Sequence, residues 1–384
     1  MKRMARWLSL ALVCAFAGAA WSGEDLKTLG QEAIAKSGKW LLAQANPDGT
    51  FGKSKAAKAP GVVGLALQAL ATRPTPATAA EKAVMDRAAA YLAACQQANG
   101  AINLPGAELD NYNTSVAVIA LTALQDPKYK PVLDKARAFI ESCQLTEKLG
   151  YKKDEHTQAY GGFGYGSATR ADLSNTTFSL EALKAMGVPE DSPAFKNALV
   201  FVQRCQDNPE ENDAECMKDG DGTGGFVYLP GQSEFGKVKS RRTGKDVPRP
   251  YANMTYTGIK CLIYCGLKHD DPHLQKAWAW IKNNYAVNKV AGAPPAHELD
   301  GYFYYLVAFA KAFYAAQEAG VSPKLTLADG KEVVWHDDLV SHLVKLQKPD
   351  GSFLASTARW WEDDPVLTTS YAAFSLNLAV KAMK

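Results

Sequence analysis

The chain has 384 residues and few of the features that announce a reaction. It contains no C-x-x-C pair and no H-E-x-x-H segment, so no metal site is expected from its sequence. No stretch beyond the first 22 residues is apolar enough to span a bilayer. Net charge is missing too. Of 43 Lys and Arg, three (Lys2, Arg3, Arg6) fall in the first 22 residues, which hold no Asp or Glu, leaving 40 basic against 40 acidic residues. A balanced chain exerts no general pull on nucleic acid or on an anionic membrane, so no nucleic-acid partner is expected. The composition also excludes disorder: 47% of residues are apolar and 10% aromatic, enough to bury a large core.

The opening residues have the pattern of a secretory signal peptide. Basic residues precede the run WLSLALVCAFAGAA, small residues follow, and the first acids are Glu24 and Asp25. A leader over 1–22 and a single domain over 23–384 are the expected division, with the mature chain exported to a periplasmic or extracellular compartment and lacking a transmembrane span. Six cysteines remain after the leader. Cys205 and Cys216 flank a short acidic loop and are the best candidates for a disulfide in an oxidising compartment. Cys261 and Cys265 lie in a helical pattern and read as small core residues rather than a metal clip.

What the chain does have is repetition. QANPDGTF (Gln44–Phe51) near the start returns as QKPDGSF (Gln347–Phe353) near the end. Between them the same order recurs: a helix-length segment ending in Gln, a Gly-rich turn with an aromatic, a polar Asn/Thr/Ser start, and a second Ala/Leu/Val-rich helix. WLLAQ leads to GLALQAL, YLAACQ to NTSVAVIALTAL, FIESCQ to SNTTFSLEALKAMG, FVQRCQ to NMTYTGIKCLIYCG, and LVSHLVKLQ to TTSYAAFSLNLAV. A fifth, degenerate copy runs from AWAWIKNNY to DGYFYYLVAFAKAF. The second helices have almost no polar face and must be buried all round, whereas first helices such as KNALVFVQR are amphipathic. Six buried helices within six half-exposed ones predict an all-α fold, an (α/α)6 toroid. An open solenoid would need polar capping repeats, and none is present.

The Q-x(3–4)-G-x-F repeat before Ala/Leu-rich helices resembles the Q…G-x-W repeat of squalene–hopene and oxidosqualene cyclases. It is also similar to the repeats in the β subunits of protein prenyltransferases. The resemblance covers about residues 30–380, with Phe in place of the usual Trp. It implies an α/α barrel whose substrate cavity lies where the inner helices begin. Helix N-termini converging there would favour an anionic group such as a diphosphate or carboxylate near the mouth.

The catalytic motifs of that family are incomplete. The cyclases' D-x-D-D-T corresponds to Asp172-Leu173-Ser174-Asn175-Thr176, where Ser174 replaces the proton donor and Asn175 the last acid. The prenyltransferases' zinc ligands correspond to Asp300 in Asp300-Gly301-Tyr302 and to Thr368-Thr369-Ser370-Tyr371, which retains one ligand of three. No cofactor or metal is expected. Asp172, Asp300 and Asp364 remain as candidate catalytic carboxylates. Tyr112, Tyr165, Arg170, Arg249, Tyr251, Tyr302, Trp360 and Trp361 are the ligand-binding candidates. All are in loops or at the starts of inner helices, where aromatic faces suit apolar or cationic groups. Arg170 and Arg249 occupy matching places in neighbouring repeats and are candidates to share one anion.

Three functions remain open. The first is binding or transformation of an isoprenoid or other apolar ligand in a central aromatic cavity. The second is a non-catalytic toroid that binds a protein partner, and the third a polysaccharide lyase or hydrolase on an α/α barrel. Whether the chain is an enzyme does not follow from its residues.

Overall fold

The computed structural model describes residues 22–166 and 170–383. The expected leader therefore lies outside the described residues, apart from Ser22. Among the described residues, twelve helices of eight residues or more alternate between an outer and an inner layer. The outer ones are α1 (Gly23–Ala43), α3 (Ala79–Ala94), α5 (Lys130–Ser142), α7 (Pro193–Arg204), α9 (Pro272–Asn284) and α11 (Trp335–Leu346). The inner ones are α2 (Pro60–Ala71), α4 (Asp110–Ala123), α6 (Leu173–Ala185), α8 (Ala252–Tyr264), α10 (Tyr302–Glu318) and α12 (Pro365–Ala382).

Each layer follows from its residues. In α2 every residue from Pro60 to Leu70 is buried, as its unbroken apolar run requires. In α7 burial is confined to one stripe that includes Phe195, Ala198, Phe201 and Val202, at helical spacing. Each inner helix packs against the next, and α12 packs back on α2, so the ring is closed. The all-α (α/α)6 toroid is therefore the observed fold. Among the described residues the sheet content is two small antiparallel hairpins, one in the loop between α7 and α8 and one between α10 and α11. β1 (Lys237–Lys239) pairs with β2 (Asp246–Pro248), and β3 (Lys324–Thr326) with β4 (Glu332–Val334).

The repeated Gln is a staple between neighbouring outer helices. At the end of α3, Gln96 donates through Nε2 to Gly100 O in its own turn (3.3 Å) and to Val132 O at the head of α5 (2.8 Å). Gln144 reaches Gly161 O and Ala194 O of α7, both at 2.8 Å. Gln206 reaches Gly224 O (3.0 Å) and His273 O of α9 (2.9 Å). Gln347 closes the circle through Gly351 O (3.2 Å) and Ala33 O of α1 (2.9 Å). One amide thus binds a carbonyl of its own turn and a carbonyl of the neighbouring outer helix at once.

The Gly and the aromatic of the motif complete the joint. Gly161 has φ +85°, and a Cβ there would lie 2.0 Å from Asn197 O, so only glycine allows the turn to touch α7. The following Phe163 is fully buried, and its N–H donates to Thr176 Oγ1 of α6 at 3.1 Å. Phe226 N–H to Thr255 Oγ1 (3.0 Å) and Phe353 N–H to Thr369 Oγ1 (2.9 Å) repeat the contact. The polar starts of α6, α8 and α12 thus each receive the backbone of their own turn.

Two expectations about side chains change. All six cysteines of the described residues are free thiols, so Cys205 and Cys216 are not a disulfide; Cys205 is fully buried and Cys216 half-buried. The interior also holds an ion triad the repeat pattern hid. Glu181 of α6 meets Lys260 of α8 at 2.6 Å and Lys311 of α10 at 2.8 Å. Burial opposes ionisation of Glu181, but the two lysines outweigh it and hold the carboxyl down at about 2. Among the described residues no helix is long and apolar enough to cross a membrane.

Candidate functional site

The inner helices all begin at one end of the ring, and a cavity of about 570 Å³ opens there. Each inner helix contributes a residue of its first turn: Gly61, Tyr112, Ser174, Asn253, Tyr304 and Leu367. The loops that precede those helices supply the rest of the wall, including Tyr165, Tyr228, Tyr251, Trp360 and Trp361. Of the residues singled out in the sequence, Tyr112, Tyr165, Arg170, Tyr251, Trp360 and Trp361 are on this wall.

Six tyrosines line the cavity, and five of them are hydrogen-bonded through their hydroxyls to another hydroxyl of the wall. Tyr112 and Tyr371 share a hydrogen bond at 3.1 Å, Tyr165 and Tyr228 one at 3.0 Å, and Ser174 and Tyr304 one at 3.1 Å. Paired hydroxyls leave the ring faces and edges as the surface offered to a ligand. Phe178 sits against Tyr112 at 4.9 Å, edge to face, and Lys311 of the ion triad lies 5.1 Å from the same Phe178 ring.

Trp360 and Trp361 form the rim. They are exposed by 40% and 56% and both adopt positive φ, 55° and 65°. Such backbone costs about 1–2 kcal/mol per residue outside glycine and persists only where the surroundings hold it. Here Gly301 supplies the room: a Cβ on Gly301 would come within 2.4 Å of the Trp360 ring. On its other side Trp360 carries the Arg359 guanidinium, 4.2 Å from the ring centroid.

The remaining ligand-binding candidates divide. Arg170 is on the wall, its guanidinium 5.5 Å from the Tyr228 ring centroid. Arg249 is not on the wall, and its Nε is buried without a partner, so the two arginines do not share an anion across the cavity. Tyr302 points away, its hydroxyl donating to Val287 O and meeting His342.

The three candidate carboxylates hold helix starts and ion pairs rather than facing the cavity. Asp172 is fully buried and caps α6 by accepting Asn175 N–H at 2.8 Å. Burial pushes its carboxyl up to about 6 against the pull of the Asn175 hydrogen bonds. Asp300 pairs with His297 at 2.8 Å and Arg359 at 3.2 Å; burial works to raise it, but these partners hold it below the ordinary range. Asp364 caps α12 through Val366 N–H (2.8 Å) and Leu367 N–H (3.2 Å) and accepts from Ser54. Ser174, in the place of the cyclases' proton donor, does face the cavity, with a hydroxyl that cannot serve as a strong acid.

Two carboxyls do line the cavity, Glu234 and Glu362, and the sequence singled out neither, although Glu362 stands two residues from the candidate Asp364. Of the two, Glu362 is the buried one. Only 1% of it is exposed. Its oxygens accept Tyr304 N–H at 2.7 Å and Phe303 N–H at 3.1 Å, so it caps α10 from the loop of the next repeat. Burial pushes its carboxyl up to about 7, against the opposing backbone hydrogen bonds. Its only signal was its place in RWWEDDP; the contact with residues some sixty positions away leaves no local pattern. Tyr304 and Tyr371 were missed for another reason: within helices apolar all round, a tyrosine reads as core. Among the described residues no three His, Cys, Asp or Glu side chains cluster as a metal site requires.

This architecture has known counterparts. The chain belongs to the prenyltransferase alpha-alpha toroid domain family, which it matches over residues 13–175 and again over 165–359. No curated protein matches it in sequence. Among solved structures it is similar to the type II terpene cyclase MstE from Scytonema, at TM-score 0.58 and 13% identity, over 93% of this chain and 99% of that one. It is also similar to an alpha-1,6-mannanase of Salegentibacter sp. HEL1_6, at TM-score 0.55 and 12% identity, over 94% and 100%. A possible member of the GH105 family from Salmonella enterica matches at TM-score 0.53 and 13% identity, over 98% and 99%. At these identities the likeness is one of fold, and the site must speak for function.

Proposed function

We propose that this chain binds an isoprenoid-type or similar apolar ligand in the tyrosine-lined cavity, in an exported setting. One observation carries the reading: a cavity of about 570 Å³, open at the mouth of the ring and lined by six tyrosine rings, five of which have hydrogen-bonded hydroxyls. That volume lies within the roughly 300–1,000 Å³ of small-molecule sites. Such a wall gains free energy by covering hydrocarbon. The MstE cyclase, with which this chain shares its fold, has been crystallised with geranylgeranyl dihydroxybenzoate, a ligand of this class. The test is thermal denaturation of delipidated protein with squalene or geranylgeraniol. A saturable rise in Tm is expected, and no rise with any isoprenoid sinks the reading.

A second reading rests on the rim. Exposed Trp360 and Trp361 are suited to stack on sugar rings, and the mannanase of the same fold was crystallised with alpha-1,6-mannotriose. It requires a carboxylate pair across an open groove; Asp172, Asp300 and Asp364 do not line the cavity, and of the two carboxyls that do, Glu234 pairs with Arg359 and Glu362 is taken up by the start of α10. A rise in Tm with oligosaccharides alone would favour it. A protein-binding toroid would leave the cavity unused, and a partner recovered on the Trp360–Trp361 rim would support that reading.

A further inference from the structure

Pairing does not use up every proton on the cavity wall, and the surplus indicates which polar group a ligand must bring; this inference rests on the apolar-ligand reading. An open chain of hydroxyls has one hydrogen bond fewer than it has protons, so one proton is left without an acceptor. The chain closes only when a group other than a hydroxyl accepts that proton.

One chain on the wall is closed. Tyr165 and Tyr228 meet at 3.0 Å, and the Asp172 carboxyl behind them accepts from Tyr228. Two others are open. Tyr112 and Tyr371 bond to each other at 3.1 Å. Ser174 and Tyr304 meet at 3.1 Å. Thr257, buried and off the wall, adds a hydroxyl behind Tyr304; it brings one proton and one link, so the surplus is unchanged. Tyr251 stands apart from the three chains, its ring packed on Phe235 at 4.8 Å.

The side-chain acceptors of the wall are bonded elsewhere. Asn113 Oδ1 takes Gly61 N–H at 2.9 Å, Glu362 takes two N–H groups of α10, and Glu234 pairs with Arg359 at 3.5 Å. The Oδ1 of Asn253 is sealed from the cavity.

In an open cavity, water takes the surplus protons. A hydrocarbon that displaces this water leaves them unmatched, at a cost of about 1–3 kcal/mol for each buried group. A ligand hydroxyl lengthens a chain by one proton and one link and leaves the surplus in place. It closes the chain only by reaching both oxygens of a pair at once, in a three-membered ring with bent O–H···O angles. A carbonyl oxygen accepts and brings no proton, so it ends the chain.

Of the open chains, Ser174–Tyr304 is the better presented. Both residues are half-buried on the wall, in the first turns of α6 and α10, whereas Tyr371 is 5% exposed and Tyr251 2%. A serine side chain ends at its hydroxyl, so Ser174 presents Oγ itself to the cavity. We infer that the cavity takes an apolar terpenoid whose polar end is an uncharged carbonyl, a ketone or ester, held by the surplus hydroxyl proton of Ser174 and Tyr304.

The experiment titrates delipidated protein with four probes on one saturated isoprenoid skeleton, read by tryptophan fluorescence. They are the methyl ketone phytone, the secondary alcohol made by reducing it, the hydrocarbon without oxygen, and the acid with a hydroxyl in place of the ketone's terminal methyl. The ketone is expected to bind about tenfold more tightly than the hydrocarbon, the ratio one hydrogen bond supplies, and more tightly than the alcohol. The infrared C=O stretch of the bound ketone is expected at lower wavenumber than in hexane. In Ser174→Ala/Tyr304→Phe both the advantage and the shift are expected to vanish. The hydrocarbon should bind that variant at least as tightly as wild type, which also shows that it is folded. Equal binding of ketone and hydrocarbon by the wild type, or tighter binding of the alcohol, overturns this inference while leaving the apolar cavity standing. Tightest binding by the ionised acid overturns the uncharged head and points instead to Arg170 and the uncapped start of α4. Loss of the ketone's advantage only in Tyr251→Phe, or only in Tyr112→Phe/Tyr371→Phe, overturns the assignment to Ser174 and Tyr304. Binding of none of the four overturns the apolar-ligand reading as well.

Discussion

Glu362 shows how a single side chain can be invisible in sequence and central in space. Its carboxyl, raised from 4.5 to about 7 by burial, gives a pH signature. The unfolded chain ionises this group near its ordinary value, whereas the folded protein keeps the proton until about pH 7. Its stabilising contribution is therefore full below pH 4.5 and is lost as pH rises through 7. By linkage, wild type should lose up to about 3 kcal/mol of unfolding free energy over that window relative to Glu362→Gln. Urea denaturation of both proteins at a series of pH values measures the difference, and a difference independent of pH would contradict the raised carboxyl. Asp172 titrates in the same direction but is common to both proteins and cancels. Gly161 makes the opposite case, a residue whose role was readable from its motif. Gly161→Ala places a Cβ against Asn197 O at φ +85°, and a loss of at least about 2 kcal/mol is expected in the same urea assay. The aromatic candidates Tyr112, Tyr165, Tyr251, Trp360 and Trp361 were legible because they stand at loop ends before inner helices. Among the candidate carboxylates, Asp172 and Asp364 stand at helix starts, where an Asp satisfies the helix before it serves a ligand, and Asp300 is taken up by His297 and Arg359.

Helix pairs are joined by three recurring bonds, and the motif spells all of them. Gln reaches the next outer helix, Gly lets the turn touch it, and the aromatic N–H meets a Thr of the inner helix. The periodicity of apolar residues told inner from outer helices, because burial on all sides permits no polar face, as α2 shows. What periodicity did not show is the Glu181–Lys260–Lys311 triad, whose members are single polar residues in three buried helices and meet only when the ring closes. Removing one member of a buried ionic group strands the others. Glu181→Met should cost about 3–5 kcal/mol, and Glu181→Met with both lysines changed to Met should recover much of that loss, as judged by thermal denaturation. If the single variant is as stable as wild type, the triad is not buried as described.

At the scale of the whole molecule, ring closure and cavity are one property. Gln347 ties the last outer helix to Ala33 in the first, across more than three hundred residues of chain. Gln347→Ala is expected to cost about 1–3 kcal/mol and to raise amide exchange in α1 more than in α5, because α1 depends on the closing contact. The closed ring brings six helix starts to one mouth, and there six tyrosines line the wall. The central claim is that this mouth binds an apolar isoprenoid, and the most direct measurement is the Tm of delipidated protein titrated with geranylgeraniol. A saturable increase, diminished in Tyr371→Ala, is the predicted result. An unchanged Tm across the titration, with a rise on adding oligosaccharide instead, would contradict it.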